Sequence, residues 1–329
     1  MKTILNSEKA ALAAAIALYD KCGTDKRAWR DPEFGPTQED EHGALSLYYT
    51  GETPKDHPEV EDVFWHSPAE FIEEEDEEGN KTDGIYFLKD DAASNEVIQG
   101  QLGNCWFISA LSVLADRDHM LRGGGEDIDT ANENMVDKST SQLCSIGVYP
   151  PLFHKFRQRG IFVFRFFKDY KWRYVLVDEL LPYANCKLCF ARCTNPEETW
   201  VPMIEKAYAK LFGCYEALRS GSIDEAIVDM TGLVCEKVAL FDAKGKFKFE
   251  DADEFWERLL DYSRNGSLMG CSRSGGTEHA LEIEGEKCGI LTGHAYGLNK
   301  VINLPCQDCK RNRNYDCTHR LLLVRNPHG

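Results

Sequence analysis

The stretch GQLGNCWFISAL, from Gly100 to Leu111, places a cysteine between a glycine-bearing turn and a strongly apolar segment. Gly103 and Asn104 favour a break in the chain, whereas the residues from Trp106 onward are typical of the start of a buried helix. The pattern therefore predicts Cys105 at a helix N-terminus, where backbone N–H groups and the helix dipole stabilise a thiolate. A buried cysteine that merely opens an ordinary helix has the same pattern. A catalytic role requires a base elsewhere in the chain.

A histidine and an asparagine further along the chain offer that base and its partner. His294 lies in the strand-like segment LTGHAYGL, where Gly293 permits close approach of a substrate backbone. Asn326 follows the apolar segment LLLVR, and its side-chain carbonyl can accept the imidazole Nδ1–H. Nε2 would then exchange a proton with the sulfur of Cys105, in the chain order Cys, His, Asn of thiol proteases. The alternative at this point is a histidine that is only packed in a strand.

An oxyanion donor would complete the arrangement. Gln99 lies six residues before Cys105, so its side-chain amide can join the Cys105 backbone N–H around a developing oxyanion. Each feature is weak alone. Together, the oxyanion donor, the thiol, the imidazole and the asparagine follow one another in the order of a thiol protease and favour nucleophilic catalysis by the thiol.

Composition limits the classes of protein and of partner. The 329 residues suffice for two domains or one large one, and 43% hydrophobic with 28% charged residues is typical of a soluble globular protein. The net charge of −17 argues against general binding to nucleic acids or anionic membranes. Much of this charge lies in two acidic runs, 36–43 and 73–84, which are typical of solvated loops.

The thirteen cysteines and the N-terminus bear on the compartment. The apolar run from Ala10 to Tyr19 follows Ser7 and charged residues, which predicts a capped, alanine-rich helix; a signal peptide is the alternative. No apolar run reaches the length of a membrane span. We therefore expect a cytoplasmic protein with reduced thiols.

The periodicity predicts a helical first half with some strands and a mostly β second half. Residues 160–182 alternate as a hairpin that turns at Asp169 and Tyr170, and TWVPMIEKAYAKLFGCYEAL has helical spacing. The segments GLVCEKVALF and NGSLMGCSRSGG are predicted strands on either side of a helix. A cleft between two such halves is a usual place for an active site.

Several motifs resemble those of one known family. The segments QGQLGNCWFISAL, GHAYGL and VRNP are similar to the three signatures of the calpain cysteine-protease core. WRDPEFGP, WHSP, VDELLP, EKAYAKL and NGSLMGCS resemble further parts of that core, so the similarity extends from about residue 29 to the C-terminus. The resemblance implies an α+β, papain-like proteinase with a helical N-terminal subdomain, an antiparallel β C-terminal subdomain and the active site in the cleft between them.

The resemblance also implies a domain division and site roles. We expect an N-terminal extension over 1–59, a first subdomain over 60–220, and a second over 221–329 that is incomplete at its C-terminus. The implied site residues are Cys105 as nucleophile, His294 as acid and base, Asn326 as its orienting partner, Gln99 as oxyanion donor, and Gly221 and Gly293 at the border of the substrate cleft.

Calcium is the cofactor that the resemblance implies, since calcium assembles the catalytic residues in this family. The calcium carboxylates of the first subdomain match Glu96 and Glu198, and carboxylate oxygens suit this hard cation. A second calcium site of the family cannot be placed on this chain. One departure lies next to Asn326, where His328 replaces the usual tryptophan that shields the His–Asn hydrogen bond. We expect weaker or more pH-sensitive activity from this change.

Two groups of cysteines are candidate metal sites. Cys306, Cys309, Cys317 and His319 have a spacing that suits a structural zinc site, with reduced thiols in an exposed loop as the alternative. The cysteines of CKLCFARC lie in an extended segment, where alternation would distribute them over both faces and favours no site.

The sequence thus predicts a calcium-dependent cysteine endopeptidase that cleaves protein substrates through an acyl-enzyme. A catalytically weak or inactive calpain-like regulatory protein is the alternative, because a fold alone does not establish activity. A thiol acyltransferase is a third interpretation, which the asparagine in place of an acid at position 326 disfavours. A regulatory partner is not predictable from the sequence.

Overall fold

The computed structural model describes residues 2–23, 28–52, 63–71, 86–89, 92–122, 147–242, 244, 246–249, 251–273, 279–283, 286–305 and 318–329. Its helices are α1 (Glu8–Gly23), α2 (Ala44–Leu47), α3 (Cys105–Ala115), α4 (Asp118–Leu121), α5 (Trp200–Phe212), α6 (Ile223–Thr231) and α7 (Ala252–Arg264). Its strands are β1 (Phe64–His66), β2 (Val97–Ile98), β3 (Phe162–Lys168), β4 (Lys171–Val177), β5 (Leu181–Ala184), β6 (Lys187–Leu188), β7 (Arg192–Cys193), β8 (Met269–Arg273), β9 (His279–Ile283), β10 (Glu286–Thr292), β11 (His294–Pro305) and β12 (Thr318–Arg325).

The strands form small antiparallel sheets, which helices cover. Among the described residues the strand orders are β1-β5-β6, β2-β7, β3-β4, β10-β9 and β12-β11-β8. All of these pairings are antiparallel. Two antiparallel strands can be joined by a tight turn, as β3 and β4 are. The mixture of helices and antiparallel sheets confirms the predicted α+β class.

Helix α3 lies at the centre of the main core. Every residue from Trp106 to Ala115 is buried, and a helix that is apolar on all sides needs packing partners all round. Its Phe107 ring stacks on Tyr208 of α5 with centroids 4.2 Å apart, and Gly297 of β11 approaches its opposite side. A Cβ at Gly297 would lie 2.8 Å from Ser112 Oγ, so only glycine permits this contact between helix and strand. The core therefore fixes the position of the helix that Cys105 opens.

Buried ion pairs hold the polypeptide around α5. Lys206 is fully buried and bonds the Asp178 carboxylate, and Lys210 lies 2.7 Å from a carboxylate oxygen of Asp31. The Asp31 backbone N–H in turn donates to Asp178 at 2.8 Å. Removing one partner of such a pair leaves a buried charge, which typically costs about 3–5 kcal/mol. This network fastens the segment that precedes α2 to the core.

The N-terminal helix matches its prediction. The Ser7 hydroxyl accepts a hydrogen bond from the Ala10 backbone N–H at 3.2 Å and caps α1. Ala11 and Ala15 are fully buried in a second core that includes Phe153 and Phe156. Their small side chains allow α1 to pack closely on that aromatic surface. The helix is thus part of the folded core.

The hairpin prediction is confirmed, and one strand prediction is wrong. Asp169 and Tyr170 have φ of 52° and 59°, the left-handed conformation that a tight turn between β3 and β4 requires. By contrast, residues 232–240 of the segment GLVCEKVALF are not in a strand, and Val234 is fully exposed. Apolar alternation does not make a strand unless another strand lies alongside to take its hydrogen bonds.

The sheet β12-β11-β8 carries the second group of predicted site residues. Helix α7 packs Trp256 and Leu260 against Leu298 and Val301 of β11 in a small separate core. Helix α6, which follows Gly221, packs instead into the main core with α3. The domain boundary at residue 221 stays a prediction.

Candidate active site

Cys105 is the first residue of α3, as the sequence predicts. Its side chain is partly exposed, whereas the ten residues that follow it in the helix are buried. The N-terminus of a helix presents unpaired backbone N–H groups and the positive end of the dipole, which stabilise a thiolate relative to a thiol. Cys105 therefore has the setting that a nucleophilic cysteine needs.

His294 and Asn326 are brought together by the pairing of β11 with β12. The His294 side chain is almost fully buried, and its Nε2 lies 3.0 Å from Oδ1 of Asn326. The expectation that Nδ1 faces the asparagine is therefore wrong. Chain order fixes which residues meet, but the orientation of the ring depends on where the end of β12 lies beside β11. With Nε2 on Asn326, Nδ1 is the nitrogen for proton exchange with the predicted nucleophile.

His328 covers this hydrogen bond. Its imidazole stacks on that of His294 with centroids 4.5 Å apart and an angle of 16° between the planes. Its backbone N–H also donates to Oδ1 of Asn326 at 3.2 Å. His328 is exposed, so an aromatic cover is present but is smaller than an indole and open to water.

Gln99 contacts its own turn in this structure. Its Nε2 donates to the Leu102 carbonyl at 2.7 Å, and its Oε1 is buried without a hydrogen-bond partner among the described residues. A primary amide carries a second N–H, which is the donor left for an oxyanion. The role of Gln99 as oxyanion donor stays a prediction.

Two contacts that the sequence analysis missed flank Asn326. The Arg325 guanidinium donates to the carbonyls of Asn95 and Val97, both at 3.2 Å. On the other side, the Gln99 backbone N–H donates to the Pro327 carbonyl at 2.7 Å. The end of β12 is thereby fastened to the segment that leads into the Cys105 turn. No short-range pattern predicts bonds between residues 230 positions apart, such as Arg325 and Asn95.

A second link between the surroundings of Cys105 and those of His294 lies where α3 contacts β11. The Ser109 hydroxyl donates to the Ala295 carbonyl at 2.9 Å. Ser109 lies one turn beyond Cys105, and Ala295 follows His294 directly. This bond links the helix of the predicted nucleophile to the strand of the predicted base.

The two predicted cleft positions favour glycine for different structural reasons. A Cβ at Gly221 would lie 2.4 Å from the Trp106 ring, so the approach of the backbone to the indole requires glycine. Gly293 is exposed with φ of +65°, a conformation that other residues rarely adopt. Their contact with substrate stays a prediction.

The predicted calcium carboxylates lie in one neighbourhood. Both Glu198 and Glu96 act electrostatically on the Cys193 thiol, whose pKa is raised mainly by burial and further by these charges. Glu198 is almost fully buried; its Oε1 accepts the Lys89 backbone N–H at 2.9 Å, and its Oε2 has no hydrogen-bond partner among the described residues. Glu96 Oε2 accepts the Ala93 N–H at 3.1 Å.

A buried carboxylate oxygen without a donor fits a hard cation. Within the described part of the chain, no three His, Cys, Asp or Glu side chains cluster as metal ligands.

The predicted zinc residues are mostly outside the described residues. Cys306, Cys309 and Cys317 belong to that part of the chain, whereas His319 is exposed on β12. Pro305 and Thr318 pair at the open end of β11 and β12, so the 306–317 segment joins these two strands. Zinc binding there stays a prediction.

Comparison with known proteins decides the family. The family model described as "Calpain family cysteine protease" matches residues 29–329. This chain belongs to the calpain family. The mouse protein "Calpain-5" is 33% identical over 287 residues, covering 87% of this chain and 38% of that protein. The mouse protein "Calpain-9" is 31% identical over 289 residues, covering 87% of this chain and 33% of that protein.

A plant relative extends the comparison. The Arabidopsis thaliana "Calpain-type cysteine protease DEK1" is 28% identical over 302 residues, covering 92% of this chain and 12% of that protein. The chain thus spans about a third of the length of the two mouse calpains and a much smaller part of the plant protein. Membership confirms that the α+β fold is that of a papain-like calpain protease core. None of the helices in the described ranges is both long and apolar enough to cross a membrane.

Proposed function

We propose that this chain is the catalytic core of a calcium-dependent calpain-type endopeptidase that cleaves protein substrates. The single observation that carries the proposal is the 3.0 Å hydrogen bond between His294 and Asn326, on a strand that packs against the helix opened by Cys105. A pairing of imidazole with a side-chain carbonyl orients the base of a thiol protease. Family membership supports the same reaction. We expect this activity in the cytoplasm.

The proposed reaction begins with attack of the Cys105 sulfur on the scissile carbonyl carbon. His294 Nδ1 holds the thiol proton as an imidazolium, while its Nε2–H donates to Asn326 Oδ1. The C–N bond then breaks, the amine leaves with the proton from His294, and the acyl group stays on sulfur as a thioester. Water, deprotonated by His294, then attacks the thioester carbon. The C–S bond breaks, the acyl group leaves as the carboxylic acid, and the sulfur takes the proton back from His294.

The negative charge on the carbonyl oxygen needs two donors. The Cys105 backbone N–H lies at the start of α3, where intrahelical acceptors are absent. The Gln99 amide supplies the second donor through the hydrogen that it does not give to Leu102. Donors aimed at a developing oxyanion typically contribute a factor of about 100–1,000 in rate.

Calcium would bind at the carboxylates of Glu198 and Glu96. The ion supplies a fixed double positive charge that compensates these carboxylates. Glu96 lies between Asn95 and Val97, whose carbonyls accept the Arg325 guanidinium next to Asn326. A calcium ion that orders residues 95–97 would therefore also hold Arg325 in place, next to Asn326 in the predicted active site.

One observation favours a second candidate, a calpain-like regulatory protein with weak or no activity. The aromatic cover over the His294–Asn326 bond is the small, exposed imidazole of His328. Water can compete for a hydrogen bond with so little cover. Such a protein would bind its partners through the same fold without hydrolysis.

Casein hydrolysis with and without millimolar calcium tests the proposal. The matched variants are Cys105→Ser and Cys186→Ser, which change a predicted nucleophile and an exposed thiol elsewhere. We expect calcium-dependent cleavage that only Cys105→Ser abolishes. Cleavage without calcium would contradict the calcium dependence alone. A folded wild-type protein that does not cleave casein would favour the regulatory candidate.

A further inference from the structure

Glu205 of α5 is a buried carboxyl group that the proposed reaction does not use. Its side chain is fully buried, as is that of Asn104, the residue before Cys105. A carboxylate in such a place is costly unless donors compensate it. A carboxyl group retained at this position therefore needs a structural or functional reason.

Its two oxygens bridge two separate backbone segments. Oε1 accepts the Asn104 side-chain N–H at 2.7 Å, and Oε2 accepts the Ala191 backbone N–H at 2.9 Å. Asn104 ends the turn that carries Gln99, and its carbonyl accepts the Phe107 and Ile108 N–H groups in the first turn of α3. One carboxyl group thus touches both the start of the nucleophile helix and the neighbouring segment around Ala191.

That neighbouring segment also supports the Gln99 turn. The Gln101 N–H donates to the Cys189 carbonyl at 3.0 Å, and a Cβ on Gly100 would lie 2.1 Å from the Phe190 carbonyl oxygen. The turn therefore lies flat on residues 189–191. Glu205 is the side chain that joins the two from the core side.

We propose that Glu205 is a positioning residue, whose carboxylate holds the Gln99–Asn104 turn against residues 189–191 and so sets the placement of Cys105. The proposal rests on the proposed protease function and names a residue that acts through Asn104. A displacement of about 1 Å at a reacting group can cost on the order of 100-fold in rate. The effect is therefore expected in kcat and in the reactivity of Cys105 rather than in KM.

Glu205 and Asn104 can form a different hydrogen bond when Glu205 is protonated. Asn104 Oδ1 is buried without a hydrogen-bond partner among the described residues. A protonated Glu205 would donate its O–H, and the Asn104 amide can turn to offer Oδ1 as the acceptor. Burial raises the pKa of Glu205 to about 7, and the bonds from Asn104 and Ala191 lower it.

Cys189 and Tyr215, the titratable groups among the described residues whose pKa values Glu205 raises, stay neutral near pH 7. Burial, and then the Glu205 charge, raises the pKa of Cys189 to about 12. Burial, then Glu205, also raises that of Tyr215. Of these three groups, Glu205 is therefore the one whose charge changes near neutral pH.

The experiment compares the full chain with Glu205→Gln, Asn104→Ala, the double variant, and the exposed control Glu257→Gln. The first readout is the rate at which iodoacetamide alkylates Cys105 from about pH 5.5 to 8.5, followed by mass spectrometry of the Cys105 peptide. The second is kcat and KM for peptide hydrolysis with calcium. Circular dichroism identifies the variants that fold.

We expect a step near pH 7 in the alkylation rate of the wild type and of Glu257→Gln, and none in Glu205→Gln. We expect kcat of Glu205→Gln to fall on the order of tenfold with KM little changed. The double variant should be no worse than the more affected single variant, because both changes remove one contact. If Glu205→Gln does not fold, loss of the step in Asn104→Ala carries the same meaning.

Either of two results would overturn the inference. A folded Glu205→Gln that keeps the wild-type pH profile and kcat would do so, as would simple additivity of the two single changes. Failure of the proposed function gives a different result. In that case the wild type shows the Glu205-dependent step in alkylation but cleaves no peptide, so the positioning contact is present without protease activity.

Discussion

The imidazole rings of His328 and His294 stack with centroids 4.5 Å apart and planes inclined by 16°. One ring belongs to the predicted catalytic base, and the other occupies the position at which the resemblance to calpains implies a tryptophan. The stack shields one face of the His294–Asn326 bond. It also brings a second titratable side chain into contact with the ring that becomes an imidazolium during proposed catalysis.

Replacing His328 by tryptophan should raise activity several-fold. The larger indole would cover more of the His294–Asn326 bond than the exposed imidazole does, and so exclude water that competes for this bond. The measurement is kcat/KM of His328→Trp, with the exposed His119→Trp as control. An unchanged kcat/KM in His328→Trp would contradict this explanation.

Asn326→Ala should lower kcat on the order of 10- to 100-fold and leave KM nearly unchanged. The change removes the acceptor of the 3.0 Å bond, so the His294 ring loses its orientation but substrate contacts remain. Asn326→Asp keeps an acceptor oxygen and should recover part of the activity. Steady-state kinetics of the three proteins check this. Equal loss in the alanine and aspartate variants would show that the bond to His294 is not what matters.

Arg325→Met should lower kcat several-fold, because the side chain no longer binds the carbonyls of Asn95 and Val97. Arg320 lies on the same strand in an exposed pair with Asp253, and exposed pairs contribute about 0–1 kcal/mol. Arg320→Met is therefore the matched control and should keep wild-type kinetics. Similar losses in both variants would assign the effect to the strand in general and not to the contact beside Asn326.

Glu198→Gln should weaken calcium binding about tenfold or more, since it replaces a buried anionic ligand by a neutral one. The neighbouring Glu197→Gln is the control, because Glu197 pairs with Lys89 at 3.5 Å near the surface. Titration calorimetry of the protein with calcium gives both affinities without an activity assay. Equal affinities in the two variants would exclude Glu198 as a ligand.

Glu205 should make stability depend on pH. Its pKa in the folded chain, about 7, lies above the ordinary value of a glutamic acid. The folded chain therefore binds this proton more tightly than the unfolded chain, and the resulting stabilisation is complete at a pH below that ordinary value. The contribution is lost as pH rises through about 7. Relative to Glu205→Gln, the wild type should lose on the order of 2 kcal/mol between pH 5 and pH 8. Urea unfolding measures this, and a constant difference over that range would contradict it.

The local predictions succeeded where neighbouring residues determine the structure. Helix α3 begins at Cys105 because a breaking turn is followed directly by an apolar run. The β3–β4 hairpin turns at Asp169 and Tyr170 because two alternating segments flank a short polar pair. These signals lie within a few residues of one another, so they can be read without knowing the fold.

The parts that sequence could not supply are contacts between distant residues. Glu205 meets Asn104 across 101 positions, and the Gln99 N–H meets Pro327 in the turn after β12. The choice of Nε2 rather than Nδ1 on His294 likewise depends on where β12 ends beside β11. Chain order pairs His294 with Asn326, whereas packing decides which ring nitrogen faces the asparagine.

The most direct test of the proposed chemistry is mass spectrometry of the protein quenched with acid during turnover of a peptide ester with calcium. We expect an adduct with the mass of the acyl group on the Cys105 peptide, which Cys105→Ser abolishes and Asn326→Ala diminishes. Hydrolysis without an adduct on Cys105, or an adduct on another cysteine, would contradict thiolate attack by Cys105. Absence of both adduct and hydrolysis in the folded protein would contradict the protease function itself.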